Sequence, residues 1–98
     1  MTRREIFNRL AVARPQLRRQ GVKRLRLFGS RARDESTLMS DVDLLVEFDE
    51  RPIGLFEMAR IQRQLEELLG VNHVDLVTPE GLHPALRQRI LSEALDAA

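Results

Sequence analysis

The sequence contains no cysteine, no tryptophan and no tyrosine, and its four phenylalanines are its only aromatic residues. Without cysteine, neither a disulfide framework nor a thiolate-ligated metal site can form. With so few aromatic side chains, we do not expect a platform on which nucleic-acid bases stack. These absences exclude disulfide scaffolds and zinc–thiolate modules and argue against single-stranded nucleic-acid binders.

An excess of one charge and long apolar runs are also absent. The 98 residues include 16 basic and 15 acidic side chains, which gives a net charge of +1 and no general electrostatic case for nucleic-acid binding. No apolar stretch approaches the roughly 20 residues that cross a bilayer. The arginine-rich N-terminal segment lacks the apolar core of a signal peptide. We therefore expect a cytoplasmic protein without a membrane anchor, formed by one domain over residues 1–98.

Hydrophobic periodicity predicts four helices that alternate with three strands. A capping box of Thr2 and Glu5 opens the first helix, which Pro15 is expected to kink or end. The predicted strands cover residues 22–28, 41–48 and 73–77, and the later helices cover 31–35, 55–69 and the segment from Pro84 on. Candidate core residues of the last helix are Leu86, Ile90 and Leu95. This order predicts an α/β (α+β) fold, in which helices cover a small mixed sheet of about three strands.

Two aspartates, Asp41 and Asp43, lie one residue apart at the start of the second predicted strand. Residues two apart on a strand point to the same face, with Cα atoms roughly 6.5–7 Å apart. Magnesium prefers carboxylate and phosphate oxygens, and a bound cation relieves the repulsion between two such charges. The pair is therefore a candidate metal site, although acidic residues are common at exposed strand starts and the pair alone is a weak signal.

The Gly29–Ser30 pair directly follows the first predicted strand and precedes a predicted helix. Glycine allows close backbone approach to a phosphate, and free N–H groups at a helix N-terminus bind anions. Ser30 adds a hydroxyl group, and Arg31 and Arg33 add positive charge. The segment is a candidate phosphate-binding loop; taken alone, a helix cap beside a solvated basic turn explains it slightly better.

Asp75 lies in the third predicted strand among apolar residues. A carboxylate buried there without a partner would be costly. If this strand lies beside the second one, Asp75 joins Asp41 and Asp43 and helps to hold a metal ion; on an edge strand it would simply face water. Together with the upstream pair, the first arrangement is favoured, so the sequence predicts a triad of carboxylates.

Gly29–Ser30, ten intervening residues and then Asp41-Val42-Asp43 resemble the signature of the DNA polymerase β-like nucleotidyltransferase superfamily. The longer runs 28–33 and 40–46, with 74–77 downstream, are similar to the minimal nucleotidyltransferases of prokaryotes. The resemblance covers nearly the whole chain and implies the polymerase β-like nucleotidyltransferase fold.

The resemblance also implies the site and its cofactors. The implied metal ligands and catalytic residues are Asp41, Asp43 and Asp75, and the implied nucleotide-binding residues are Gly29, Ser30 and Arg33. Two Mg²⁺ ions are implied, with ATP as the substrate. Such a site positions phosphates and neutralises charge, and needs no covalent intermediate. Asp34 stands where the family often has glycine, which brings a negative charge close to the expected triphosphate but removes no metal ligand.

Small members of this family often act as the antitoxin of a HEPN-domain ribonuclease toxin. The resemblance therefore implies AMP transfer from ATP to a tyrosine of such a toxin. This chain has no tyrosine, so a tyrosine acceptor must belong to another molecule. Two alternatives stay open: an antitoxin that masks the toxin by binding without catalysis, and a nucleotidyltransferase that acts on a small molecule. The N-terminal arginines form a candidate nucleic-acid surface, but the scarcity of aromatic residues argues against direct nucleic-acid binding.

Overall fold

The structure is a computed structural model that describes residues 1–33 and 41–97. In chain order its elements are α1 (Arg3–Arg19), β1 (Val22–Phe28), β2 (Val42–Phe48), α2 (Leu55–Leu69), β3 (Val74–Val77), a one-turn 3-10 helix (Pro79–Gly81), α3 (Pro84–Glu93) and β4 (Leu95–Asp96). The strands form one sheet in the order β3-β2-β1-β4. β1 is antiparallel to β2 and β4, whereas β2 and β3 are parallel. The predicted α/β fold with a mixed sheet is confirmed, with a short fourth strand in addition.

The predicted helix over residues 31–35 is only partly covered by this description. Residues 31–33 form a turn, and Asp34 and Glu35 lie outside the described residues. The departure from the family pattern at Asp34 therefore has no structural account. No helix in the described part of the chain combines the length and the hydrophobicity that crossing a bilayer requires.

Helix α1 begins at the predicted capping box. The Thr2 hydroxyl accepts a hydrogen bond from the Glu5 N–H at 3.1 Å, and the Glu5 carboxylate accepts one from the Thr2 N–H at 3.4 Å. Pro15 does not end the helix, so that part of the prediction is wrong, because α1 continues through it to Arg19. Proline removes the hydrogen bond to the carbonyl four residues earlier. That carbonyl belongs to Ala11, and both residues are exposed, so water can replace the missing donor.

Helices α1 and α2 pack together with the sheet to form the core. The fully buried side chains of this core include Ile6, Leu10, Leu17, Leu25, Leu27, Val42, Leu44, Val46, Leu65, Leu69 and Val74. Each buried leucine, isoleucine or valine stabilises the fold by roughly 1.5–3 kcal/mol relative to an exposed one. The alternating pattern of β2 thus anchors the strand that carries the aspartate pair.

Helix α2 has the predicted bounds. Fewer of its apolar side chains are buried than its apolar content would suggest. Ile61, Leu65 and Leu69 are buried, whereas Phe56 is 90% exposed. Gly70 ends the helix in a left-handed conformation with φ of 67°, which glycine adopts at low cost. Phe56 therefore belongs to the surface of the molecule.

The last helix departs from its predicted pattern. Helix α3 ends at Glu93, and Leu95 pairs with Leu27 of β1 as part of strand β4. Leu86 and Leu95 are 49% and 38% exposed, and Ile90 is half-buried, so the expected burial of the first two is wrong. The physical reason is position: Leu86 and Ile90 line a surface groove, and Leu95 lies on a strand at the edge of the sheet.

Candidate active site

The β1–β2 pair brings the Gly29–Ser30 turn to the aspartate strand. Phe28, the last residue of β1, is the register partner of Asp43. Gly29 follows with φ of 77°, a left-handed backbone conformation that residues other than glycine rarely adopt. A Cβ atom on Gly29 would collide with Oδ2 of Asp43 and lie 3.1 Å from its Cγ. Glycine is therefore required here twice, by its backbone angle and by its contact with the Asp43 carboxylate.

The third aspartate lies on the neighbouring parallel strand. Asp75 of β3 is the register partner of Asp43 of β2, and adjacent strands lie about 4.7–4.9 Å apart. Asp41 precedes Asp43 by two residues and lies immediately before the first residue of β2. Asp41 and Asp75 are exposed, whereas Asp43 is half-buried between them. The arrangement on which the predicted triad depended, with the third strand beside the second, is present.

Burial and like charge act together on the central carboxylate. Partial burial raises the pKa of Asp43 above its ordinary value, and the negative charges of Asp75 and Asp41 raise it further. His73 and Arg33 oppose this rise in the pKa through their positive charge. The ionised form of Asp43 is therefore disfavoured in the protein alone, and a nearby cation would relieve the repulsion.

The carboxylates fit a hard cation by chemistry, without forming a preassembled cage. Within residues 1–33 and 41–97, no three aspartate, glutamate, histidine or cysteine side chains already converge as metal ligands. Asp41, Asp43 and Asp75 nevertheless offer carboxylate oxygens at one end of the sheet, and the central one carries an electrostatic penalty that a cation removes. Magnesium usually takes only one or two protein carboxylates together with water and substrate phosphate. Metal binding by these residues stays a prediction with a suitable donor set.

The two arginines after Ser30 have different surroundings. Arg31 is only 3% exposed, and its Nη1 donates to the Met1 carbonyl oxygen at 3.0 Å. This buried contact ties the turn to the N-terminal segment, a structural role that the sequence did not reveal. Arg33 is exposed, its backbone N–H donates to the Gly29 carbonyl at 3.3 Å, and its Nη1 lies 3.5 Å from Oε2 of Glu93. Arg33 is thus the arginine of the pair that a phosphate can reach.

Helix α3 borders the Gly29–Ser30 turn, which the sequence reasoning missed. A groove of 210 Å³ lies between them, and it is lined by Phe28, Gly29, Arg33, Leu86, Arg89, Ile90 and Glu93. The sequence carried no signal for this contact, because Leu86 and Ile90 were expected in the core and only the packing of α3 places them beside the turn. A wider depression of 780 Å³, around Lys23 and Phe48, lies at the opposite end of the β1–β2 pair and contains none of the predicted site residues.

Comparisons of sequence agree with this geometry. Residues 10–97 match the family described as the nucleotidyltransferase domain. A Methanocaldococcus jannaschii protein named as a protein adenylyltransferase is 48% identical over 82 residues, which cover 84% of this chain and 86% of that protein. The protein adenylyltransferase MntA of Thermococcus cleftensis is 38% identical over 96 residues, which cover 97% of this chain and 95% of that protein.

Solved structures give the same assignment. A structure described as a minimal nucleotidyltransferase matches with a TM-score of 0.82 and 42% identity, covering 97% of this chain and 95% of that one. A crystal structure described as a toxin–antitoxin with AMP-PNP matches with a TM-score of 0.73, covering 94% of this chain and 72% of that one. At 20% identity, the second match shows a shared fold alone. With the family match over residues 10–97, these findings show that the chain belongs to the nucleotidyltransferase domain family and is a minimal nucleotidyltransferase.

Proposed function

We propose that this chain transfers AMP from ATP to a hydroxyl group of a partner protein in a reaction that requires Mg²⁺. The observation that carries the proposal is the direct packing of Gly29 against the carboxylate of Asp43, beside Asp75. This packing puts a candidate anion-binding turn and a carboxylate cluster in one place, as a site for a metal-bound triphosphate requires. The relatives named as protein adenylyltransferases support a protein as the acceptor.

The three aspartates are proposed to bind the metal ions, at the end of the site that the acceptor approaches. Bound Mg²⁺ would neutralise charge on the phosphates and lower the pKa of the attacking hydroxyl. Asp41 and Asp43 are proposed to hold ions on one face of β2, and Asp75 to complete the set on the side of the acceptor. Because Asp41 and Asp75 are exposed, a protein acceptor can approach this end of the sheet.

The turn after β1 is proposed to bind the phosphates that leave as pyrophosphate. Gly29 allows close approach of the backbone, and the Ser30 hydroxyl can donate to a phosphate oxygen. Arg33 supplies positive charge. Its ion pair with Glu93 spans 3.5 Å between half-exposed side chains, and such pairs are worth only about 0–1 kcal/mol. Exchange of Glu93 for a phosphate group therefore costs little.

A tyrosine of a HEPN ribonuclease toxin is the proposed acceptor, which makes this chain its antitoxin. The chain has no tyrosine of its own. The relatives named as protein adenylyltransferases support an adenine nucleotide as the donor, and a protein crystallised as a toxin–antitoxin with AMP-PNP has the same fold. A cytoplasmic location, where ATP and Mg²⁺ are available, fits this activity.

Intact-mass measurement tests the proposal directly. The purified chain is incubated with the HEPN protein, ATP and Mg²⁺, and the partner is then weighed. A mass gain in steps of one AMP supports transfer, and replacing the acceptor tyrosine with phenylalanine is expected to abolish it. A partner that is inhibited but keeps its mass would support masking by binding instead.

Two matched substitutions separate chemistry from folding. Asp43→Asn is expected to abolish the mass gain without unfolding the chain. Asp49→Asn changes a half-buried aspartate just beyond the opposite end of β2, which pairs with Arg51 at 2.7 Å, and is expected to leave transfer unchanged. Normal transfer by Asp43→Asn would overturn the assignment of the site.

A further inference from the structure

A second charged surface lies at the other end of β1. This surface, called the basic groove, has a volume of 480 Å³. Its lining consists of Arg14 and Arg18 from α1, Lys23 and Arg24 from β1, and Asp96 and Ala97 from the C-terminal segment. None of these residues belongs to the candidate active site, which lies where β1 ends and β2 begins.

The positive charge of the basic groove is only partly compensated. Arg24 pairs with Asp96 at 2.7 Å and approaches Glu47 at 3.8 Å. The exposed side chains of Arg14, Arg18 and Lys23 make no hydrogen bond or ion pair with any residue in the described ranges 1–33 and 41–97. Three uncompensated cations therefore share one small groove, although the whole chain carries a net charge of only +1.

The spacing of the two helix arginines adds an energetic argument. Arg14 and Arg18 are four residues apart on α1, so their side chains are neighbours on one face of the helix. Like charges at this spacing destabilise a helix, and an anion bound between them would remove that repulsion. The neighbouring Lys23 provides a third donor from a different element. An anionic partner bound in the basic groove would therefore lower the electrostatic repulsion among these side chains.

We propose that the basic groove docks an acidic, extended segment of the protein that receives AMP. This inference rests on the proposed function, because it takes the acceptor to be a protein. No aromatic side chain lines the groove, so base stacking is not available to a nucleic acid. The Asp96 carboxylate within the lining would also repel a continuous phosphate backbone, whereas a polypeptide can place an acidic side chain on the arginines alone.

The edge of the sheet supports an extended polypeptide as the occupant. Strand β4 pairs with β1 on one side, and no strand of the described residues pairs with its outer side. Such an edge presents backbone N–H and C=O groups to which an extended segment can add. The groove and the active site lie at opposite ends of β1, a span of roughly 20 Å for seven residues. A short extended segment can therefore reach from the docking groove toward the site.

Binding of a defined acidic probe tests the basic groove without assuming any catalysis. A short fluorescein-labelled peptide of alternating glutamate and serine is titrated with the full chain at about 0.15 M salt, where the Debye length is about 8 Å, and fluorescence anisotropy is followed. Charge reversal by Arg14→Glu with Arg18→Glu is expected to weaken binding about tenfold, since two surface charge contacts become repulsive. The neutral pair Arg14→Gln with Arg18→Gln avoids new repulsion within α1 and is expected to weaken it about threefold.

The matched control reverses two other exposed helix arginines. Arg60 and Arg63 line a separate shallow depression on α2 with Phe56 and Ala59. Reversal of both to glutamate changes the net charge equally and is expected to alter peptide affinity by less than about twofold. Equal weakening by both reversals would overturn the proposal, because binding would then reflect net charge. Failure of the wild-type chain to bind the peptide would overturn it as well.

Two further results distinguish this proposal from its alternatives. Tighter binding of single-stranded oligouridine than of the peptide, lost on reversal of Arg14 and Arg18, would show a nucleic-acid site and overturn a protein-docking role. In AMP transfer to the partner protein, the groove reversal is expected to raise KM for that protein about tenfold and leave KM for ATP unchanged. If the wild-type chain transfers no AMP, the proposed function fails, while the peptide titration still decides the groove.

Discussion

Replacing Gly29 with alanine perturbs the central contact of the site. An L-residue in the left-handed region costs roughly 1–2 kcal/mol, and Gly29 has φ of 77°. The new Cβ would also meet Asp43, with Cγ at 3.1 Å and Cβ at 3.4 Å, so the carboxylate must move. We expect a total loss of about 2–3 kcal/mol in unfolding free energy, which lowers Tm by roughly 10–20 °C in a chain of this length. Transfer activity is expected to disappear, because the displaced carboxylate is a proposed metal ligand.

Thermal and chemical unfolding followed by circular dichroism measure this cost, with Gly54→Ala as the control. Gly54 has φ of −84°, and a Cβ there would meet no atom within 4 Å. Because Gly54 caps α2, its replacement by alanine is expected to cost less than about 1 kcal/mol. If Gly29→Ala were as mild as Gly54→Ala, the reasoning about backbone angle and contact would be wrong.

A double-mutant cycle separates the backbone angle from the contact. Asp43→Ala removes the atoms with which the new Cβ collides, so Gly29→Ala in that background is expected to retain only the backbone cost. The two substitutions should therefore couple by about 1 kcal/mol. An equal cost of Gly29→Ala in both backgrounds would refute the proposed contact with the carboxylate.

Two other perturbations follow from the charges around the site. Folding raises the pKa of Asp43, so the folded state binds a proton at this carboxylate more tightly than the unfolded chain does. The contribution of Asp43 to stability therefore falls as pH rises from its pKa in the unfolded chain through its pKa in the folded protein. In EDTA at pH 7, Asp43→Asn is therefore expected to raise the unfolding free energy by less than about 1 kcal/mol. This gain is expected to vanish below about pH 4, where the aspartate is protonated in both states. A loss of unfolding free energy at pH 7 would contradict this reasoning. Glu93→Gln removes the charge 3.5 Å from Arg33 and is expected to lower KM for ATP about twofold to fivefold in steady-state transfer assays, as a weak surface ion pair implies; an increase would show that Glu93 assists binding.

The elements that sequence predicts best here are those governed by local chemistry. The extent of β1, the capping box at Thr2 and the bounds of α2 each depend on residues close in sequence, and each is present in the structure as predicted. Proline at position 15 misled the prediction, because local preference favours a break while burial of Ile6, Leu10 and Leu17 holds the helix together.

Features that depend on distant partners were not predictable. Strand β4 has two residues and exists through its pairing with β1, far away in the sequence. The burial of Arg31 depends on the Met1 carbonyl, and the groove beside Gly29 depends on where α3 packs. In contrast, the pairing of Asp43 with Asp75 could be predicted from the sequence on a single assumption, namely that β3 lies beside β2, and the structure has this arrangement.

The position of the label in ATP tests the central claim most directly. The wild-type chain and its HEPN partner are incubated with Mg²⁺ and ATP that is radiolabelled on either the α- or the γ-phosphate. Adenylyl transfer predicts that the α-label becomes covalently attached to the partner, that the γ-label leaves in pyrophosphate, and that Asp43→Asn abolishes both events. Transfer of the γ-label to the partner, or labelling that persists in Asp43→Asn, would contradict the account.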